Sequence, residues 1–425
     1  MKNRSPYSLV DVNDVVIESL IARHPGKSCV LGVDVAKGEL VGALVRCDRS
    51  FERPWRIASP GQLRILLLKL LELRRRCPLR VAIESSGTYG DPLRQMLADA
   101  GIEVQRVSAK AVKDYSETFD GVPSQHDGKD AAIIGTLCHS GHGKTWVWNV
   151  GEENDQALRY FVRRMDTAQR IKRIFCGKLE SMLARHWPEI FALLEQSGAT
   201  LTRALAHWGD PAALAADPQA PALLKRFGGH YLTEKKIARV IESARSSIGV
   251  RMNAWTVREM KDIASSIVKQ RQRIGRCRRE LKKLTRNHRA IRSQAPAVGL
   301  FTACVLWMCL GDPKNYGSAA AYRKAMGLNL KERSSGMHKG KLSLSKRGQR
   351  LTRKWLYFSC LRWLRQPSVK RWVASKRQRD GGRGDKAAVA VMRRLALAAW
   401  HCGQGEVFDP DRLFPGTRKL ARQEV

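Results

Sequence analysis

GVDVAKGELVGALV, Gly32–Val45, sets two apolar runs on either side of a Lys-Gly turn, and buries an aspartate in the first of them. The spacing predicts two successive strands, with Asp34 in the middle of a buried one. An unpaired carboxylate flanked by apolar strand residues is costly unless a cation or hydrogen-bond donors face it. Asp34 therefore reads as a residue kept to hold a metal.

Working outward from Cys29 to Val107, the chain reads strand SCVLGVDVA, strand ELVGALVRC, a short strand at RPWRIA, helix GQLRILLLKLLELRRR, strand LRVAIE, helix PLRQMLADA and strand EVQRV. Three successive strands followed by alternating helices and strands predict an α/β sheet with an antiparallel edge. A helix over SAKAVKDYSETF follows, then the polar loop GVPSQHDGKD running into an apolar helix. This pattern ends near residue 150.

The charge balance narrows the partners. Of 425 residues, 77 are Lys or Arg and 39 Asp or Glu, a formal net charge of +38, and such a surplus implies a polyanion, nucleic acid first. The basic residues cluster at Leu73–Cys77, Arg271–Lys283 and Val369–Arg379, so several contacting surfaces are expected. No apolar stretch reaches the roughly 18 residues that span a bilayer, and MKNRSPYSLVDVND lacks a signal-peptide core. The ten cysteines form no CxxC pair. CHSGH, Cys138–His142, lacks the distant partners of a zinc site. The expectation is an intracellular protein with reduced thiols.

Residues 151–291 read as a helical middle ending in one long helix, Ala254–His288, whose apolar positions follow a heptad. Met260, Ile267, Ile274 and Leu281 form one seam; Ile263, Cys277 and Leu284 form the other, interrupted by Gln270. Such a helix either pairs with another protomer as a coiled coil or faces a core within its own chain. Residues 292–425 read as helical again, with one Gly- and Ser-rich loop, RSSGMHKGKLSLSKRGQR, and with Trp355, Trp363 and Trp372 set among basic residues. In helices of that pattern tryptophans belong to the core rather than to base stacking.

Four acids could converge at one end of the sheet: Asp34, Glu84 at the end of LRVAIE, and Asp127 and Asp130 at the mouth of the apolar helix. With the first and fourth strands neighbours, as in a ribonuclease-H-like order, Asp34 and Glu84 would come within metal-bridging distance. Clustered hard oxygens suit magnesium, and two ions about 3.5–4 Å apart clamp the attacking and leaving oxygens of phosphodiester transfer. The blander alternatives are a helix N-cap at Asp127 with Asp130 at its N3 position, and a surface turn at Glu84.

VLGVDVAKGEL, AIESSGTYGDPL and HDGKDAAIIGTLC together resemble the N-terminal domain of the DEDD-type insertion-sequence transposases, the IS one-ten family. MGLNLKERSSGMHKGKLSLSKRGQRLTRKWL resembles that family's C-terminal serine loop. The resemblance implies a RuvC-like, ribonuclease-H-like α/β domain over 1–150, a helical coiled-coil region over 151–291, and a mostly α transposase domain over 292–425. It maps Asp34, Glu84, Asp127 and Asp130 to the metal-holding acids, for Mg2+ or Mn2+, and Ser335 to the nucleophile, with Ser334 as the alternative. It implies recombination through a covalent phosphoserine, guided by a structured noncoding bridge RNA that pairs with target and donor DNA. Dimers would pair into a tetramer, with the heptad helix as an interface between protomers, in a bacterial cytoplasm near the nucleoid. Against the family pattern, the region from about 190 to 250 is expanded. Two other functions fit the residues: a junction endonuclease that uses water and no covalent link, and a nonenzymatic nucleic-acid scaffold.

Overall fold

The strand pattern closes into one seven-stranded mixed sheet in the computed structural model, which describes residues 5–23, 26–84, 87–122, 126–146, 148, 152–332, 340, 342–379, 381–382 and 384–414. The chain divides into two units, Met1–Val150 and Gly151–Val425.

In the first unit the strands are β1 (Val10–Asp11), β2 (Cys29–Val35), β3 (Glu39–Arg46), β4 (Trp55–Ala58), β5 (Leu79–Glu84), β6 (Val104–Val107) and β7 (Lys144–Thr145). Their order is β1-β4-β3-β2-β5-β6-β7. Strands β2, β3 and β4 run antiparallel in turn, and β5 joins β2 in parallel, as β6 joins β5. This mixed order is compatible with a ribonuclease-H-like domain. The two short edge strands and helix α1 (Ile17–Arg23) lie outside the sequence expectation, because two-residue strands leave no periodic signal.

Both faces of the sheet are covered, which is why β2 and β3 read as near-continuous apolar runs. On one face lie α2 (Leu63–Arg76) and α3 (Asp91–Asp99), whose Leu63, Leu66, Leu70, Leu73, Leu93 and Leu97 pack on Leu31, Val33, Val81 and Ile83. The α2 leucines recur at helical spacing, and each fully buried one contributes about 1.5–3 kcal/mol. On the other face lie α4 (Ala109–Asp120) and α5 (Asp127–Leu137), against Val30, Ala82 and Val107. Every residue of α5 from Gly128 to Leu137 except Asp130 is buried, so this helix is a core element rather than an amphipathic lid.

Among the described residues, the second unit is helical apart from a two-residue antiparallel ladder, β8 (Leu330–Lys331) with β9 (Ser343–Leu344). Two long helices organise it, α6 (Glu153–His186) and, after α7 (Ala199–His207), α8 (Pro211–Ala216), α9 (Ala220–Gly228) and α10 (Glu234–Arg245), α11 (Ala254–Leu284). Leu179 and Leu183 of α6 share a core with Met260, Ile263 and Ile267 of α11, roofed by α7–α10. Leu158, Val162 and Met165 share a second core with Ile274, Cys277 and Leu281. The pairing is antiparallel and within one chain. The expanded region around 190–250 is the small helical cap over the first of these cores.

This settles the heptad helix against one expectation. Its seam residues Met260, Ile263, Ile267, Ile274, Cys277 and Leu281 are covered by their own chain, so the seam is not an interface left open for another protomer. Gln270, which interrupts the seam, is buried where one core gives way to the next and accepts from Arg273 Nη1 at 3.3 Å.

The second core is completed by α12 (Arg289–Val298), α13 (Leu300–Leu310), α14 (Ala319–Ala325), α15 (Arg350–Trp363), α16 (Pro367–Arg379), α17 (Gly384–Gln404) and α18 (Pro410–Leu413). Trp355 bonds Asp166 at 2.7 Å, Trp363 bonds the Ala297 carbonyl at 2.6 Å, and Trp372 packs edge-on to Phe414. All three tryptophans are spent on packing. Among the described residues, no helix is long and apolar enough to cross a membrane.

Candidate active site

Strand β2 alternates its side chains, so Val30, Gly32 and Asp34 share the face that α5 covers. Gly32 explains how close that cover is. A Cβ there would stand 2.1 Å from the Ala131 carbonyl oxygen and 2.4 Å from the Gly135 nitrogen. Gly135 matches it from the helix side, where a Cβ would meet Val45 Cγ2 at 2.5 Å. Two glycines thus let a helix backbone rest on a strand backbone, and the start of α5 is drawn toward the end of β2.

The sheet register brings in the second acid. Val33 pairs with Ile83 in the parallel β2–β5 ladder, so Asp34 and Glu84, next along each strand, lie side by side at its carboxyl end. Ala82 packs under α5 while Val81 and Ile83 face the opposite core, which puts Glu84 on the α5 face with Asp34. Ligands of open α/β sheets gather outside the carboxyl ends of the strands.

Helix α5 supplies the other two acids from its first turn. Its N-cap is His126, whose Nδ1 accepts from Gly128 N at 3.1 Å. The alternative in which Asp127 caps this helix is therefore excluded: Asp127 is already helical and Asp130 lies one turn on. Both carboxylates stand in the first turn of the helix.

The electrostatics show that these acids feel one another. Asp34 is pushed above the usual carboxylate range by burial first, then by the charges of Asp127 and Asp130, against a backbone hydrogen bond at Val35. Glu84 is raised by burial, then by Asp34 and Asp130. Asp130 is raised by burial and by Asp127, with Lys129 and His126 pulling the other way. A set of like charges held together costs energy until a cation joins it. Hard carboxylate oxygens fit a magnesium-type ion. Among the described residues, however, no three His, Cys, Asp or Glu side chains are gathered tightly enough to hold an ion. The acids lie within each other's field without being drawn together as ligands.

A lock beside the acids escaped the sequence reading. Lys129, between Asp127 and Asp130, is fully buried and turned away from them, donating to Asp120 Oδ1 at 2.7 Å and to the Val122 carbonyl at 2.5 Å. Tyr7 donates to Asp120 Oδ2 at 2.7 Å and stacks on Phe51. These bonds hold Asp120 well below the usual carboxylate range, to about 2. They fasten the end of α4 to the first turn of α5. The available signal was a lysine at the start of an otherwise apolar helix.

Ser334 and Ser335 lie outside the described residues. The short β8–β9 ladder brackets their segment in the sequence, and α15 follows it.

Residues 31–188 match the family model of DEDD transposases of the IS110 type, described as Transposase. Residues 290–374 match the model described as Transposase IS116/IS110/IS902 family. No curated protein matches the chain.

Proposed function

The chain belongs to the IS116/IS110/IS902 family of transposases, and from that premise we propose that it is an RNA-guided DNA recombinase working through a covalent phosphoserine. The observation that carries the reading is geometric: Asp34 and Glu84 stand side by side at the carboxyl end of β2 and β5, on the face covered by α5, whose first turn holds Asp127 and Asp130. Acids gathered at one strand end suit phosphodiester chemistry better than they suit a binding scaffold.

In this mechanism the Ser335 Oγ attacks a DNA phosphorus. The Oγ–P bond forms, the bond from phosphorus to one deoxyribose oxygen breaks, and the serine proton passes to a base or to water while the strand leaves as a free hydroxyl. Attack by the hydroxyl of the incoming strand reverses these changes and frees the serine. The number of phosphodiester bonds is conserved, so resealing needs no external energy. Asp34, Glu84, Asp127 and Asp130 would hold Mg2+ or Mn2+ here. Bound there, the ion supplies positive charge beside the phosphate oxygens as negative charge develops. The lock of Lys129, Asp120 and Tyr7 holds the first turn of α5, and with it two of the acids, in place.

A RuvC-like first domain and two further domains, over 151–291 and 292–425, complete the proposal, with dimers pairing into a tetramer near the nucleoid. The net charge of +38 supports a protein that neutralises a guide RNA and two duplexes together. Affinity should then fall steeply with salt.

The test is to incubate the protein with magnesium, the RNA encoded beside its gene and labelled matching DNA, then to resolve the products on a denaturing gel. A protein–DNA adduct that disappears in Ser335→Ala and in Asp34→Ala supports the reading. Cleaved DNA without any adduct would replace it by the hydrolytic nuclease, in which the acids activate water and Ser335 is dispensable. Reactions unchanged by Asp34→Ala would leave only the scaffold.

A further inference from the structure

In the second unit an open groove of about 620 Å³ runs along α6 and α11. Its walls carry four arginines, Arg159, Arg163 and Arg164 from α6 and Arg273 from α11, with Tyr160 and Thr167 between them and no acidic side chain. The two acids of α6 nearest in sequence are turned elsewhere. Asp155 accepts from Trp307 Nε1 at 3.0 Å, and Asp166 accepts from Lys354 and from Trp355. The positive charge of the groove is therefore not cancelled from within its own helix.

Two of the arginines are held in place by neighbours on their own helices. The Arg164 guanidinium lies over the Tyr160 ring, 5.4 Å from its centroid, and donates to the Tyr160 hydroxyl, which keeps a long side chain extended. Arg273 reaches the groove from α11, its Nη1 donating to Gln270 Oε1 at 3.3 Å. Along the helix, Arg159 to Thr167 spans about 12 Å at 1.5 Å per residue. Duplex DNA presents one phosphate per about 1.7 Å of axis, so that length faces several phosphates at once.

We infer that this groove is a docking surface for the phosphate backbone of duplex DNA. Arginine forks match phosphate geometry, and contacts of this kind fix register and orientation without reading sequence. The inference deepens the proposed function and rests on the chain acting on DNA. It adds which face of the α6–α11 pair takes the duplex.

The experiment uses the full chain without divalent ions, so that binding is read apart from cleavage. Fluorescence anisotropy with a labelled random-sequence duplex is followed over a range of salt for three proteins. These are the wild type, the triple variant Arg159→Gln/Arg163→Gln/Arg164→Gln, and a control with the same loss of charge elsewhere, Arg203→Gln/Arg226→Gln/Arg239→Gln. All six positions are exposed, and circular dichroism and the melting temperature verify the fold. The expected result is about 10-fold or greater loss of affinity for the groove variant, with its salt slope reduced by roughly 2–3. The control should stay close to the wild type. Equal losses in the two variants overturn the inference, because the groove would then be only part of a diffuse charge. Loss of affinity for a structured RNA with duplex affinity retained overturns it in favour of RNA. A wild type that binds no duplex removes the proposed function along with it.

Discussion

The first unit carries 21 Lys and Arg against 17 Asp and Glu, a net charge of +4, while the second carries 56 against 22, a net charge of +34. One gathers acids at a strand end; the other lines a groove with arginines. A cation site and a polyanion surface demand opposite fields. A chain that needs both gains by keeping them on separate scaffolds, because arginines crowded around Asp34 would compete with any divalent ion for its carboxylate. The contrast extends to packing. The sheet unit is held by helix–strand contacts too close for a methyl group, and the helical unit by two long helices whose glycines face open space.

The largest expected effect tests that division of labour. Asp34→Asn should lower strand cleavage and transfer by about 10³-fold or more, as the loss of a principal electrostatic group does, while duplex affinity and its salt slope stay within about 2-fold of wild type. The groove variant should do the reverse at saturating protein. Parallel loss of cleavage and affinity in Asp34→Asn would break the comparison, since the acids would then be part of the binding surface.

Packing gives the next effect. Gly32→Ala must push a methyl group into the backbone of α5, where the Ala131 oxygen and the Gly135 nitrogen cannot withdraw without moving the helix. Overpacking of this kind costs about 1–3 kcal/mol or more, and because the displaced helix carries Asp127 and Asp130, activity should fall with it. Gly135→Ala meets a side chain, Val45, and should cost less than Gly32→Ala. Thermal denaturation orders the two variants, and the reverse order would mean that α5 is not seated on β2 as described.

Two carboxylates of the first unit should respond to pH with opposite signs. Asp34 is raised on folding, so the cost of its charge is absent below the usual carboxylate range and appears as pH rises through the folded value. Asp34→Asn should therefore raise the melting temperature at pH 7, by on the order of 2–4 °C for each kcal/mol relieved, and the gain should shrink on acidification. Added Mg2+ should stabilise the wild type and not the variant. Asp120 is lowered on folding, so its stabilisation is present above the usual carboxylate range and is lost as pH falls toward about 2. Asp120→Asn should then lower the melting temperature at pH 7, with the loss fading below about pH 4. If both variants moved in the same direction with pH, the acids would not form a repelling set beside an attracting lock.

Much of this was legible in the chain because its signals were local. Alternation and apolar runs delimited β2 to β6, and a carboxylate in a buried strand singled out Asp34 before any fold was known. What failed to show had a physical reason each time. A heptad reports only that one face of α11 is apolar, and the same stripe serves an intrachain partner as well as another protomer; only the position of α6 decides. The role of Gly32 depends on a helix a hundred residues later in the sequence. Lys129 gave no sign of its role because its partners, Asp120 and the Val122 carbonyl, meet it only once α4 and α5 have packed.

The smallest effect is the one that most directly contrasts the two scaffolds. Gly177 in α6 has nothing within 4 Å of an added Cβ, and Gly275 in α11 only the tip of the Arg279 side chain at 3.8 Å. Neither has a positive φ that requires glycine, and both lie inside long helices. Glycine in a helix interior costs about 0.5–1 kcal/mol relative to alanine, mainly through the freedom of the unfolded chain. Gly177→Ala and Gly275→Ala should each add about that much stability, and the two gains should sum, since the sites lie in different stretches of the helix pair and an added Cβ at one meets no neighbour of the other. The same substitution that jams the sheet unit should thus strengthen the helical one. A loss of stability at Gly275 would show that the α6–α11 pair needs a flexible point there, which would make the pair a moving part rather than a fixed frame for its groove.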